Sequence, residues 1–256
     1  MIESGRCSND KINRNYRTKP IKKTMANSRF ESEFLDFLIA SAVEGGEDSD
    51  RLPSLSALSQ ELGVSVARLR EQLEVAKALG FVDVRPRTGI RRLPYDFAPA
   101  VWQSLSYAIA TEPTLFQPFA LLRRQIELAF WDQAVRLLTP EDHQELQSLM
   151  EQALSKLNGT PIRIPHSEHR QLHITIYKRL ENPFVLGLIE AYWAAYEAAG
   201  FNLYADYNYL QDVWNYHQLM VNAICSGDFE AGYRALLEHT DLLYHRPEAM
   251  NLPNGN

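Results

Sequence analysis

The sequence predicts a mainly α-helical protein in two parts: a small N-terminal unit of three helices closed by a two-stranded hairpin, then a larger all-α antiparallel helix bundle. Three observations carry this. Apolar residues recur at three- and four-residue intervals over most of the chain, the period of a helix with one buried face. Strand-like alternation is confined to one place, where Phe81-Val82-Asp83-Val84 and Ile90 to Leu93 flank the turn Arg85-Pro86-Arg87-Thr88-Gly89. The charge also changes sign: residues 1 to 95 hold 16 Lys and Arg against 13 Asp and Glu, and residues 96 to 256 hold 10 against 19.

Residues 1 to 27 are polar and basic with no sustained period, and are expected to form a disordered arm. Ser28-Arg29-Phe30-Glu31 has the spacing of a capping box, followed by Phe30, Phe34, Leu38 and Ala42 at helical intervals. A loop at Gly45 to Asp50 precedes a short helix from Leu55 to Leu62, stopped by Gly63. Ser65 then caps a third helix, with Val66, Leu69, Leu73 and Ala76 on one face and Arg68, Arg70 and Glu71 off it. This module spans 28–94. Residues 95–112 form a linker that suits a connecting helix, with Val101 and Leu105 on one side and Pro113 at its end. The bundle spans 113–246, in segments at about 113 to 138, 140 to 157, 166 to 181, 183 to 199, 207 to 226 and 228 to 244, before a tail at 247–256. Thr139-Pro140-Glu141-Asp142 supplies a cap, a proline at the first helical position and acids in the first turn. Asn158-Gly159 ends that helix.

Composition excludes several classes. Hydrophobic residues are 45% of the chain and charged ones 23%, enough apolar material for a core, so global disorder is ruled out. Two cysteines, Cys7 and Cys225, give no disulfide framework, and a reducing cytoplasmic setting fits. The longest apolar run, Phe184 to Tyr196, is broken by Glu190 and is shorter than the roughly 20 residues a membrane helix needs. There is no G-x-S-x-G, G-x-x-x-x-G-K or G-x-G-x-x-G motif, so the usual parts of a hydrolase or nucleotide enzyme are missing.

A basic module can approach phosphates by releasing counterions, whereas an acidic one beside it cannot share the same polyanion. Helix, Gly turn, capped helix and hairpin in this order meet the requirements of a winged helix-turn-helix. Leu52-Pro53-Ser54, Leu58-Ser59, Leu62-Gly63-Val64-Ser65, Leu69-Arg70-Glu71 and Leu79-Gly80-Phe81-Val82 together resemble the DNA-binding domain of GntR-family bacterial regulators. The resemblance implies a third helix in the major groove, with Ser65, Ala67, Arg68 and Arg70 facing DNA. Arg87, Thr88 and Gly89 would sit at the wing tip. Two arginines common in the family are absent, since Leu55-Ser56 and Ser65-Val66-Ala67-Arg68 stand in their place. The operator is therefore expected to differ, with Arg68 supplying a replacement donor.

All seven histidines lie in the acidic part. His169 and His173 are four apart and share a helix face with Ile176 and Leu180. His217 shares its face with Val213, Met220, Val221 and Ile224, and His239 with Ala235, Leu236, Leu242 and Leu243. Four inward imidazoles on three helices can converge, and bundle cores are where such metal sites are built. A zinc-protease His-Glu-x-x-His is not present, because Arg170 follows His169. His143, His166 and His245 are expected to face solvent, and Tyr192, Trp193, Tyr196 and Trp214 to serve in core or dimer packing.

The bundle resembles the FCD effector domain of the FadR-like branch of the family, in Arg123 with Glu127, His173 with Asn182-Pro183, His217 with Ala223-Ile224, and Gly227-Asp228 with His239. In metal-containing members an Asp four residues before the first His joins three histidines around the ion. His173, His217 and His239 match those histidines, and His169 stands where the Asp would be, either as a fourth ligand or unligated. Imidazole in place of carboxylate removes a negative charge and favours zinc or nickel over magnesium or manganese. Arg123 is a candidate for binding a small carboxylate effector, and pairing with Glu127 is the plainer alternative. The function implied is a metabolite-responsive, DNA-binding transcription regulator, with repression as its default. It would act as a homodimer on a palindromic double-stranded operator, would need no membrane and would not be an enzyme. The alternatives are a metal-dependent enzyme using the histidines, or a ligand-binding protein that has lost DNA binding.

Overall fold

The computed structural model describes residues 32–44, 50–86, 88–200 and 206–242. The expected basic arm, the Ser28 to Glu31 capping box, most of the 45–50 loop, Arg87, His245 and the tail lie outside them. The first unit comprises α1 (Glu33–Glu44), α2 (Leu55–Leu62), α3 (Val66–Ala78) and the antiparallel strands β1 (Val82–Arg85) and β2 (Gly89–Arg92). Within the described residues, Ser32 caps α1: its Oγ accepts from the Leu35 amide at 3.2 Å. Ser65 caps α3 as expected, its Oγ accepting from the Arg68 amide at 3.3 Å. Gly63 and Gly80, with φ of 68° and 75°, adopt the left-handed conformation that ends α2 and α3. The core of the unit is Phe34, Leu38, Leu58, Leu69, Leu73, Ala76, Val82 and Ile90. Residues 50–52 run beside β2, with hydrogen bonds from Leu52 N to Ile90 O at 2.9 Å and from Arg92 N to Asp50 O at 2.7 Å. The wing is thereby tied to the strand-like lead into α2.

Residues 98–111, expected only as a linker of helical character, form α4 (Ala98–Thr111), which adds Leu105 and Ile109 to the second core. A short 3₁₀ turn, Pro113–Leu115, leads into α5 (Phe116–Arg136), α6 (Pro140–Leu157), α7 (His166–Tyr177), α8 (Pro183–Ala198), α9 (Tyr207–Ser226) and α10 (Phe229–Leu242). Gly187 of α8 lets α4 approach closely, for a Cβ there would lie 2.8 Å from the Ala98 backbone nitrogen. The α10–α5 contact is equally tight. A Cβ at Gly232 would lie 2.6 Å from Trp131 Cζ2, and the Trp131 indole donates to the Phe229 carbonyl at 2.9 Å.

One buried network fixes α7 against α6. Thr139 and Asp142 form the capping box of α6, and Asp142, almost fully buried, accepts from Arg179 Nε at 2.8 Å and pairs with Lys178 at 2.8 Å. The Arg179 hydrogen bonds hold the Asp142 carboxyl far below the usual range, with Lys178 and Thr139 adding to them against the opposing effect of burial. A carboxylate whose pKa is depressed on folding stabilises fully above its unfolded value of about 3.9, and that stabilisation is lost as pH falls toward the folded value. Asp142→Asn is accordingly expected to cost about 2 kcal/mol in urea unfolding at pH 7. The gap from wild type should shrink below about pH 4; a gap independent of pH would contradict this.

Candidate metal centre

Three helices deliver the four histidines to one point. His169 and His173 lie one turn apart on α7, His217 is in the middle of α9, and His239 is in the last turn of α10. Each offers a ring nitrogen, and these four nitrogens lie within 4.8 Å of one another. His173 Nε2 and His217 Nε2 are 3.2 Å apart, and the His217 and His239 ring centroids are separated by 4.3 Å. His173, His217 and His239 are buried, and His169 is nearly so. The convergence follows from the helix periods: each histidine sits on the stripe that the apolar core dictates, so burying the stripe buries the ring.

Two kinds of observation bear on whether a metal fits. A buried neutral imidazole needs one donor and one acceptor partner, and an unpaired buried polar atom costs about 1–3 kcal/mol. Here His169 Nε2, His217 Nδ1 and His239 Nδ1 are buried without a hydrogen-bond partner, so the cluster holds unspent nitrogens. Burial, then the neighbouring rings and Arg123, hold the pKa of His169, His217 and His239 well below the ordinary histidine value. Their lone pairs are thus free of protons at neutral pH, the state a metal requires. Four tetrahedral ligands at about 2.0–2.1 Å from zinc would be separated by about 3.3 Å. The His173–His217 spacing already matches.

Around the cluster lies a supporting layer. His173 Nδ1 is 3.0 Å from Glu127 Oε1, the carboxylate–histidine arrangement that orients metal-binding rings. Glu127 of α5 is fully buried, and it pairs at 2.8 Å with Arg123, whose Nη2 also lies 2.8 Å from His173 Nδ1. One ring nitrogen cannot serve both partners at once: with a proton it donates to Glu127, and without one it accepts from Arg123. Metal on Nε2 would favour the first state. Burial raises the Glu127 pKa, but Arg123 and His173 outweigh it and keep the carboxyl ionised. The Tyr177 hydroxyl donates to the Glu127 carbonyl at 2.8 Å, tying α7 to α5. Arg124 reaches α10 through Thr240 at 3.1 Å and Asp241 at 2.9 Å, which fixes the turn carrying His239.

Aromatic rings wall the cluster. Trp193 lies 4.5 Å from His169 and 5.5 Å from His173, Trp214 lies 4.7 Å from His217, and the Arg123 guanidinium stacks over Tyr192 at 4.6 Å. The expectation of core packing for these aromatics is met in their burial, but it omitted their contact with the histidines. The near-continuous apolar run of α8 signals a helix buried on all sides, which cannot say what each ring touches. His166, expected to face solvent, is half-buried instead. It stacks on Tyr196 at 5.6 Å and pairs with Glu197 at 2.8 Å, because it opens α7 directly beneath the end of α8. Beside His169 is a narrow cavity of about 10 Å³, lined by Pro165, His166, Tyr196, Tyr209, Val213 and Trp214 among others. That is room for about one water.

Ser65, Ala67, Arg68 and Arg70 are exposed along the first turns of α3. Thr88 and Gly89 are exposed at the start of β2, with Gly89 at φ 78°. Arg87 lies outside the described residues. Among those residues, no helix is long and apolar enough to cross a membrane.

Comparison with known proteins agrees with both halves. Residues 120–242 match the family model for the FCD domain. Over 188 residues the chain is 28% identical to an uncharacterized HTH-type transcriptional regulator, YieP, of Escherichia coli (strain K12), spanning 72% of this chain and 80% of that protein. Its fold is similar to that of Streptococcus agalactiae GntR, with a TM-score of 0.57 at 16% identity over 83% of this chain and 97% of that one. E. coli McbR/YncC aligns over 84% of this chain and 97% of its own with a TM-score of 0.45 and 20% identity. The relatives define a class of transcription regulators rather than enzymes. Residues 120–242 are thus similar to FCD domains, and the chain over 72% of its length to an HTH-type transcriptional regulator.

Proposed function

We propose that this chain is a cytoplasmic, metabolite-responsive regulator whose bundle holds a divalent metal ion, zinc or nickel, and a small carboxylate effector. His173, His217 and His239 bind the ion, with His169 as the fourth ligand. The observation that carries this reading is the convergence of four imidazoles, three of which keep a buried ring nitrogen without a hydrogen-bond partner. Imidazole donors suit borderline ions. The charge balance argues for an anion: the carboxylate touching the cluster, Glu127, is already matched by Arg123, so a divalent cation brings two uncompensated positive charges into a buried site. An acid completing the shell would offset them, with Arg123 adjacent. The water-sized cavity beside His169 means that such a ligand enters only if the bundle opens there.

A homodimer of these chains would place two α3 helices on the half-sites of a palindromic operator, with Ser65, Ala67, Arg68 and Arg70 in the major groove and Arg87, Thr88 and Gly89 at the wing tip. Helix α8 supports a route of coupling. At one end Phe184 packs on Phe97 at 5.2 Å and Gly187 meets Ala98, and at the other Trp193 meets the histidines. Pro99 in turn abuts Gly80, at the end of α3. An effector that prefers one bundle arrangement therefore biases the DNA-binding unit, and release of repression is the default sign. Fluorescence anisotropy with the chain's own promoter fragment tests this. Affinity should change roughly 5- to 150-fold on metal removal or on adding one of a panel of small carboxylates. Affinity indifferent to chelator and to every acid would overturn it.

A further inference from the structure

Arg68 does not project freely from α3. Its Nε donates to Glu33 Oε2 at 3.1 Å and its Nη2 lies 2.8 Å from Glu33 Oε1, so the side edge of the guanidinium is gripped by a carboxylate from α1. Glu33 is itself fixed: Gln72 Nε2 donates to its Oε2 at 2.5 Å, and Gln72 Oε1 accepts from the Phe34 amide at 2.9 Å. Phe34 is fully buried, so the chain Phe34–Gln72–Glu33–Arg68 anchors an exposed cation to the core.

A guanidinium has five N–H donors in a rigid plane. Glu33 takes Nε–H and one hydrogen of Nη2, leaving both hydrogens of Nη1 and the second of Nη2. Those face away from Glu33 and form the end-on fork, whose spacing matches O6 and N7 of guanine in the major groove. A cation that only grips phosphate gains nothing from a neighbouring carboxylate, which weakens the local positive field. What the carboxylate adds is direction.

We infer that Glu33 is a positioning residue that presents the end-on fork of Arg68 to one guanine in each half-site, making this pair a determinant of operator sequence. The inference rests on the reading of α3 as the helix that enters DNA. Glu33 touches no base and acts through Arg68.

The test is selection from a library of randomised DNA duplexes by the full-length chain, with bound duplexes sequenced and affinities measured for single-base variants of the selected site. Wild type should prefer guanine at one position per half-site by roughly 5- to 150-fold. Arg68→Ala and Arg68→Lys should abolish that preference and leave the other positions selected, because a lysine ammonium has no fork. Glu33→Gln should reduce the preference at the same position at least about fivefold. Selection retained elsewhere in the site shows that each variant is folded. Unchanged guanine preference in Glu33→Gln overturns the inference. It is also overturned if Arg68→Ala weakens all sequences alike and lowers the salt slope by about one, the signature of a phosphate contact. A wild-type chain that selects no sequence overturns the DNA-reading function itself, and this inference with it.

Discussion

Glu127→Ala is expected to destabilise the bundle by about 3–5 kcal/mol, the cost of removing one partner from a buried ion pair. Arg123 is 5% exposed and Glu127 0%, so the guanidinium left behind has no water to turn to. Burial acts to lower the Arg123 pKa, and Glu127 is what holds it up. The loss includes the Glu127 contact with His173, so the ring that faces His217 also loses its orientation. Urea unfolding of Glu127→Ala and of the double variant Glu127→Leu with Arg123→Met separates these effects. Replacing both charges by apolar groups of similar size is often neutral or stabilising, so the double variant should recover most of the loss. A single variant within about 1 kcal/mol of wild type would mean that the pair is solvated in solution.

His217→Ala should weaken metal binding by more than about 100-fold, beyond the 10- to 100-fold that loss of a supporting partner typically costs. The reason is geometric: His217 stands closest to the other rings, 4.3 Å from His239 and 4.5 Å from His169 between centroids. Competition against a chromophoric chelator, with zinc alone as the probe, measures this directly. His169→Asp, by contrast, keeps a ligand atom at the same helical position but adds a negative charge and a hard oxygen. It should retain binding while shifting relative preference from zinc toward manganese. Equal zinc affinity in wild type and His217→Ala would remove His217 from the shell.

The helices of the bundle were legible to within a few residues because their signals are local: Thr139-Pro140-Glu141-Asp142 starts α6 and Gly227 ends α9 by conformational preference alone. The convergence of His169, His173, His217 and His239 was legible for a similar reason, since each shares its helical stripe with residues that had to be buried. What the sequence could not reveal were contacts between elements distant in the chain. Glu127 is 46 residues from His173, and no local pattern marks a hydrogen bond between them. The grip of Glu33 on Arg68 spans 35 residues, and the edge-to-face contact of Trp193 with His169 depends on how α7 and α8 rotate against each other. His166 failed as a surface residue on the same ground: a helix-start position usually faces solvent, but here the end of α8 covers it.

In the function proposed, these imidazoles surround a cation. X-ray absorption at the metal edge, on full-length protein purified without added chelator, reads that shell. About one zinc or nickel ion per chain, with three or four imidazole nitrogens at about 2.0–2.1 Å for zinc, is the predicted result. A chain that retains no metal, or a first shell of oxygen or sulfur alone, would contradict it.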